Sequence, residues 1–576
     1  MRHNQIVGGP IYSDFGAIAV SVQSLYSLLH FGWRLLNSRS YHPQSSLVLP
    51  STTRGGQLFA LLGVLSQFAR HDRRRLRPNR RQYKRTTSYY RRSNAMKFGT
   101  SGLRGLSVDL VAGGASIYAN AFGRYLIESG KAKLGDPIFV GRDFRDSSPA
   151  IAAICVEVLK DVGFEVCDCG TAPTPALAHY SMRKSAASLM VTGSHIPADR
   201  NGIKFYNPDG EIAKPDEAAI TALAANARTT KAYVDQGLAN QDHAGKCLDL
   251  FYQRNIGLLP VGALSGLKIG VYQHSTVAGD FIAEVLAYYG ARVVPLGRSA
   301  TFIAVDTEAV SNETIALLAD WTKLYGLDAI VSADGDGDRP LVADERGIPL
   351  RGDLLGVMAA QFLCADVVVT PVTSNSGIEA LGVPVRRTRV GSPFVIAGMK
   401  EALAAGKERV VGFEANGGLL TASACSVRGH LIDPLPTRDC MLPILVAVSL
   451  IASRNEPLST IARSYNLPIT ASDRLENFPT ADGIRLIDHL RASEANLAFF
   501  LKDAGDVASR NDVDGVRVAL VDKRIIHFRA SGNAPEMRCY VEAATETAAM
   551  TLLGIGLDRL RHWVSAKGGA SEGGDR

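Results

Sequence analysis

Asp334, Asp336 and Asp338 fall within five residues of the stretch "SADGDGDRP", separated only by glycines. Three anions this close repel one another unless a cation lies among them. The glycines let the backbone turn tightly enough for every second side chain to converge. A hard, oxygen-seeking ion such as Mg2+ suits an all-carboxylate set. The spacing first suggests an EF-hand, with Glu345 at the twelfth position. The sixth position, however, is Arg339, where the sharp turn needs glycine, and Pro340 follows. The preceding "LDAIVSA" is β-branched and strand-like rather than helical. The expectation is a metal loop after a strand, set against the plainer reading of a solvated acidic turn.

Four other polar segments carry residues able to do chemistry. "TGSHIPADRNGIKFY" holds Ser194, with His195 and Lys204 near it. A serine becomes a useful nucleophile only when a base, a metal or a shifted pKa activates it. "RASGNAPE" places Arg529, Ser531, Gly532 and Asn533 after the strand-like "RIIHF". An arginine fork, a hydroxyl and backbone amides suit a phosphate dianion. "FEANGG" offers Glu414 and Asn416, able to hydrogen-bond sugar hydroxyls, and "FGTSGLRG" places Arg104 in a glycine-rich turn. Taken alone, Ser194 reads more often as a turn residue and His195 as a structural one, so that loop gains weight only in combination.

The elements around these segments alternate short apolar runs with amphipathic stretches. "PIFVGRD", "SAASLMV", "GLKIGVY", "ARVVPLG", "LDAIVSA", "DVVVTPV" and "ERVVGF" read as strands. "PAIAAICVEVLKDVG", "TVAGDFIAEVLAYYG", "ETIALLADWTKLYG" and "SPFVIAGMKEALAAG" read as helices, the first with Ile154, Val158, Leu159 and Val162 on one side. This is the α/β pattern of parallel sheets covered by helices. The Ser194, aspartate and Glu414 loops each follow the C-terminal end of an apolar strand, where ligands bind in such sheets. The last part, "DGVRVALVDKRIIHFRASGNAPEMRCYVEA", is strand-rich and then helical, a smaller α+β domain.

A length of 576 residues allows about three to five domains. The net charge of +7 misleads, because residues 1–95 hold 15 Lys/Arg against 2 Asp/Glu and the remainder is net acidic. The leader contains "FGAIAVSVQSLYSLLHFGWRLL", too diluted by Ser, Gln and His for a membrane span, and an arginine-rich run ending before Met96. Met96 directly precedes the ordered-looking "KFGTSGLRG", so translation is expected to start there, with residues 1–95 disordered or untranslated. The eight scattered cysteines form no CxxC pair and read as buried thiols in a reducing cytoplasm.

In their order, "FGTSGLRG", "TGSHIPADRNGIKFY", "DGDGDRP", "FEANGG" and "RASGNAPE" resemble the α-D-phosphohexomutase superfamily, most of all its bacterial phosphomannomutase/phosphoglucomutase members, over about residues 96–564. The resemblance implies three related α/β domains with mixed sheets plus a smaller C-terminal α+β phosphate-binding domain, around a central cleft. The expected divisions are 96–240 with the phosphoserine loop, 246–351 with the metal loop, 352–468 with the sugar loop and 470–564 with the phosphate loop, before a disordered tail at 565–576. It implies an intramolecular phosphotransferase of the isomerase class. Ser194 would be the phosphoserine, its phosphate oxygen joining Asp334, Asp336 and Asp338 around Mg2+. Arg104, His195, Lys204 and Arg339 would support catalysis, with Lys204 a candidate general acid/base. Glu414 and Asn416 would contact the sugar, and Arg529, Ser531, Gly532 and Asn533 the distal phosphate. A hexose 1,6-bisphosphate would be activator and intermediate. Mannose phosphates are the expected substrates, with glucose and glucosamine phosphates as alternatives.

The chain departs from the superfamily's usual wording. It reads "SHIP" for SHNP and "FEANGG" for GExSG, and Asn533-Ala534-Pro535 stands where TEP is frequent. Ser194 and all three aspartates remain. Competing classes are a nucleic-acid-binding protein acting through the arginine-rich leader, a phosphatase using the same serine and metal, and a non-catalytic sugar-phosphate sensor. Neither a nucleic acid nor a membrane is expected as a partner, and a cytoplasmic monomer or dimer is.

Overall fold

The computed structural model describes residues 96–99, 102–225, 243–531 and 535–568. The basic leader and the linker at 226–242 lie outside the described residues, as does the tail from 569.

The first sheet contains β1 (Lys97–Phe98), β2 (Leu103–Leu106), β3 (Pro137–Arg142), β4 (Glu165–Thr171), β5 (Ala187–Val191), β6 (Arg200–Asn207) and β7 (Gly210–Glu211), in the order β1-β2-β6-β5-β3-β4 with β7 on β6. The second contains β8 (Lys268–Tyr272), β9 (Arg292–Leu296), β10 (Ala329–Ala333) and β11 (Pro340–Ala343), in the order β11-β10-β8-β9. The third contains β12 (Val367–Pro371), β13 (Val385–Thr388), β14 (Val410–Phe413) and β15 (Leu419–Thr421). After a separate hairpin of β16 (Cys425–Val427) and β17 (His430–Ile432), β18 (Leu435–Asp439) joins it, giving the order β13-β12-β14-β15-β18.

One plan recurs in all three. Two strands lie parallel, and a third joins them in parallel before turning back as an antiparallel partner. The third strand and its return are β5–β6, β10–β11 and β14–β15. The Ser194, aspartate and Glu414 loops connect these pairs. The sheets are therefore mixed: antiparallel pairing follows a parallel centre, through β11 alone in the second sheet, through β6, β2, β1 and β7 in the first and through β15 and β18 in the third.

The loop strands are buried on both faces, which explains their continuous apolar character. Side chains alternate across the pleat. Ala329, Val331 and Ala333 of β10 face one core while Ile330 faces another. Val368 of β12 likewise opposes Val367 and Val369, and Met190 of β5 opposes Leu189 and Val191. The inward faces of all three sheets merge into one continuous core. Each Val, Leu or Ile buried there contributes about 1.5–3 kcal/mol, so the loop-bearing strand ends are fixed relative to one another.

Helix ends follow local chemistry. The helix Asn312–Tyr325 starts at Ser311, whose side chain accepts the Thr314 N–H, and stops at Gly326 with φ +58°. Among the described residues no single helix is long and apolar enough to cross a membrane. Met441–Arg454 and Leu458–Ser464 would pass such a test only as a bent pair, and residues Met441 to Val448 are buried in the shared core. Seven of the eight cysteines are buried thiols and Cys364 is exposed.

The fourth sheet is antiparallel throughout: β19 (Ile469–Glu476), β20 (Val507–Asn511), β21 (Val516–Leu520), β22 (Ile525–Ala530) and β23 (Glu536–Ala543), in the order β19-β23-β22-β21-β20. It has its own apolar core. Polar contacts tie it to the third module: Glu542 accepts from the Ser376 hydroxyl and N–H, and Asp514 Oδ2 accepts the Val390 N–H at 2.9 Å. The closing helix runs Glu546–Gly568, past the boundary expected at 564, so residues 565–568 are helical rather than part of a tail.

Candidate active site

The loop after β5 is held from within. Thr192 Oγ1 accepts the Ser194 N–H at 2.7 Å and donates to Asp143 Oδ2 at 2.7 Å. Ser194 sits at φ +55°, a left-handed conformation disfavoured for a residue with a Cβ. Its hydroxyl donates to Asp334 Oδ2, and Oγ lies 3.2 Å from His195 Nδ1. Arg339 Nη1 donates to the same Nδ1 at 3.0 Å. An always-charged guanidinium can only donate, so Nδ1 is an acceptor and the ring proton is on Nε2. Burial, then the Arg339 charge, hold His195 down at about 3, so the ring is neutral near neutral pH.

The acidic loop is a hairpin between β10 and β11, which excludes an EF-hand. Asp334 Oδ1 accepts the backbone N–H groups of Asp338 and Arg339, both at 3.1 Å. Gly337 has φ +69°, and a Cβ there would come within 2.8 Å of Ala278 Cβ. Neighbouring segments lock the turn: Thr276 Oγ1 donates to the Asp334 carbonyl at 2.6 Å, and Thr174 donates its N–H to the Asp336 carbonyl at 2.8 Å. Thr174 Oγ1 also donates to Asp336 Oδ2 at 2.5 Å.

Oxygens of Asp334, Asp336 and Asp338 lie within 4.8 Å of one another, and all three residues are buried. Lys204 Nζ donates to Asp336 Oδ2 at 2.6 Å and to Asp338 Oδ2. Burial opposes ionisation of Asp336, but the Lys204 charge and hydrogen bonds from Lys204 and Thr174 outweigh it and keep the carboxyl well below its ordinary range. Burial would lower Lys204, yet Asp336 and Asp338 raise it. Asp334 is pushed up to about 8 by burial and then by its two acidic neighbours. Asp336 Oδ1 and Asp338 Oδ1 are buried without a hydrogen-bond partner. Orphaned carboxylate oxygens are costly, and an oxygen-only donor set with spare lone pairs fits a hard divalent cation.

Arg438 links this cluster to the loop after β14. Its Nε donates to Glu414 Oε2 at 2.5 Å, and Nη1 lies 3.6 Å from Asp338 Oδ2. Burial opposes the charge on Arg438, but Glu414 and Asp338 raise its pKa well above the ordinary value. Asn416 Oδ1 accepts the Gly418 N–H at 3.0 Å, and its carbonyl accepts from Thr307 Oγ1 at 3.2 Å. Arg104 Nη1 donates to the Thr192 carbonyl at 3.0 Å. Burial lowers Arg104 to about 10, with Asp336 acting in the opposite direction.

One connected network thus gathers Ser194, His195, Arg104, Lys204, Arg339 and the three aspartates, with Glu414 joined through Arg438. Arg529 and Ser531 stand apart, at the end of β22 in the fourth sheet. Arg529 Nε donates to Asp514 Oδ2 at 3.0 Å, an oxygen that also accepts the Val390 N–H at 2.9 Å. Gly532 and Asn533 lie outside the described residues. Sequence reasoning missed Asp143, Arg145, Thr174, Thr192 and Arg438. The first two were accessible in principle, because "GRDFR" places them at the C-terminal end of β3, the position that singled out the other loops.

Known proteins resemble this chain in sequence and fold. The family models for phosphoglucomutase/phosphomannomutase alpha/beta/alpha domains I, II and III match residues 95–231, 253–347 and 351–467. A phosphomannomutase of Sinorhizobium fredii is 54% identical over 466 residues, covering 80% of this chain and 98% of the relative. One from Salmonella muenchen is 38% identical over 471 residues, covering 81% and 96%. A solved phosphoglucomutase/phosphomannomutase family protein of Burkholderia thailandensis shares the fold with a TM-score of 0.62 at 20% identity, over 83% of this chain and 98% of that one. The chain belongs to the phosphoglucomutase/phosphomannomutase family. It is an enzyme of the isomerase class that transfers phosphate intramolecularly.

Proposed function

We propose that this enzyme interconverts mannose 6-phosphate and mannose 1-phosphate through a phosphorylated Ser194 and a hexose 1,6-bisphosphate. The contact of the Ser194 hydroxyl with Asp334, inside the triad of buried carboxylates, carries the reading. Identity to the Sinorhizobium and Salmonella phosphomannomutases supports mannose as the sugar.

Asp334, Asp336 and Asp338 would hold Mg2+, which when bound neutralises charge developing on the transferred group. In the forward step the Oγ–P bond of phospho-Ser194 breaks as a bond forms from phosphorus to a free sugar hydroxyl, and the proton of that hydroxyl ends on the freed Ser194 Oγ. The bisphosphate turns over in the cleft and Ser194 recovers the other phosphoryl group. Phosphoryl transfer demands in-line placement and charge neutralisation more than covalent help. Arg339 and Arg104 bring fixed positive charge to the reaction centre. Lys204, beside Asp336 and Asp338, is the candidate general acid/base. Glu414 and Asn416 face the sugar, and Arg529, Ser531, Gly532 and Asn533 grip the distal phosphate. The four modules act as the domains divided at 96–240, 246–351, 352–468 and 470–564. The enzyme would act as a cytoplasmic monomer or dimer.

The test starts from protein phosphorylated at Ser194, verified by mass spectrometry, and assays mannose, glucose and glucosamine phosphates with Mg2+. Mannose should give the highest kcat/KM, and Ser194→Ala should fold and lose turnover. Equal rates on glucose and mannose would remove the sugar assignment, and full activity in Ser194→Ala would remove the phosphoserine.

A further inference from the structure

Arg145 is about 1% exposed and belongs to none of the motifs singled out above. Its guanidinium donates to four carbonyls of a single loop: Ser194 at 2.9 Å and Ile196 at 2.6 Å through Nη2, Pro197 at 2.8 Å and Arg200 at 2.9 Å through Nη1. Its Nε pairs with Asp143 Oδ2 at 3.3 Å. That same oxygen accepts from Thr192, which in turn fixes the Ser194 N–H. One ion pair therefore holds the serine loop from its first residue to its last.

A ring from the second module stands over the guanidinium. The Phe302 centroid is 3.9 Å from the Arg145 Cζ, a cation–π contact strengthened by burial. A Cβ at Gly335, in the acidic loop, would come 2.9 Å from that ring and 2.9 Å from the Ser194 carbonyl oxygen. A Cβ at Gly193 would collide with the guanidinium. The glycines of "TGS" and "DGD" are the two places where backbone presses on this stack.

We propose that Arg145 and Phe302 are positioning residues forming a clamp that spans two modules. Arg145 fixes the serine loop in its left-handed turn, and Phe302 sets that loop in register with the acidic loop, so that the Ser194 hydroxyl meets Asp334. Neither touches the sugar. The proposal rests on the phosphoserine reading and adds how the nucleophile is aimed. Misplacing reacting atoms by about 1 Å costs on the order of 100-fold in rate, while substrate is gripped by other loops, so the cost falls on kcat.

The experiment compares Arg145→Lys and Phe302→Leu with wild type in steady-state kinetics on mannose phosphates and in hydrogen–deuterium exchange. Lysine keeps the charge but cannot span four carbonyls, and leucine keeps apolar bulk without a π face. Each variant should lose at least tenfold in kcat with KM within twofold, and amide exchange should rise in 192–200 and not in the fourth module. Unchanged kcat with unchanged exchange, or a KM rise at constant kcat, would overturn the clamp. If Arg145→Lys does not fold, Phe302→Leu decides. If wild type converts no hexose phosphate, the function falls, while the exchange data still judge the clamp.

Discussion

Glu414 accepts a 2.5 Å hydrogen bond from Arg438, and both side chains are almost wholly shielded from solvent. The same guanidinium reaches toward Asp338, so the third module's loop and the metal loop share one cation. Breaking a buried pair strands the remaining charge, at a cost of about 3–5 kcal/mol. Arg438→Met is expected to lose stability on that scale in urea denaturation. The double variant with Glu414→Gln should recover part of it, because no carboxylate is then left unpaired.

Ser194 is held at φ +55°. A Cβ in that region costs about 1–2 kcal/mol, which glycine avoids. Ser194→Gly and Ser194→Ala both remove the hydroxyl and should both be inactive. The glycine variant is expected to be more stable by about 1 kcal/mol, measured by denaturation under identical conditions. Equal stability would mean that the turn carries no strain.

Thr174 makes no contact with the substrate in the proposed mechanism, yet its hydroxyl and N–H both hold Asp336. Groups that orient metal ligands typically matter 10- to 100-fold in affinity. Thr174→Val should raise the Mg2+ concentration for half-maximal activity by about tenfold, with little change in kcat at saturating metal. Removing the metal with a chelator should abolish turnover in both proteins, and added Mg2+ should restore it.

His527 lies buried in β22, its Nε2 donating to the Asp514 carbonyl at 2.6 Å, with Arg517, Arg529 and Tyr540 around it. Burial lowers its pKa from 6.5 to about 4. The folded state therefore binds this proton less readily than the unfolded chain does. Its contribution is fully present above about pH 6.5 and is lost as pH falls from there to about 4, roughly 3 kcal/mol in all. The stability of the fourth module should fall as pH drops across that window, and His527→Asn should flatten the dependence.

The chemistry was legible where it depends on neighbours in sequence. The aspartates of "DGDGD" converge because alternate residues around a glycine turn must do so, and Ser194 stands out as a polar residue after an apolar strand. The α/β pattern was readable from runs such as "LDAIVSA", buried on both faces. The antiparallel return strand of each module was less so, since an apolar run does not declare its direction. Arg438 was invisible: its importance arises from Glu414 and Asp338, which reach it only through packing of distant segments. Nor does the sequence show the further contacts of Glu414 and Asn416, because buried polar atoms find partners through packing. Glu414 meets Arg438, and Asn416 secures its own turn.

The fourth sheet keeps its apolar side chains to itself, while the other three sheets pool theirs. Warming should therefore disable the enzyme in two stages. The small module would come loose first, releasing the far end of the sugar while the reactive serine still sits intact in its chassis. Calorimetry should record a minor endotherm that coincides with loss of turnover and reverses on cooling, well before the main transition.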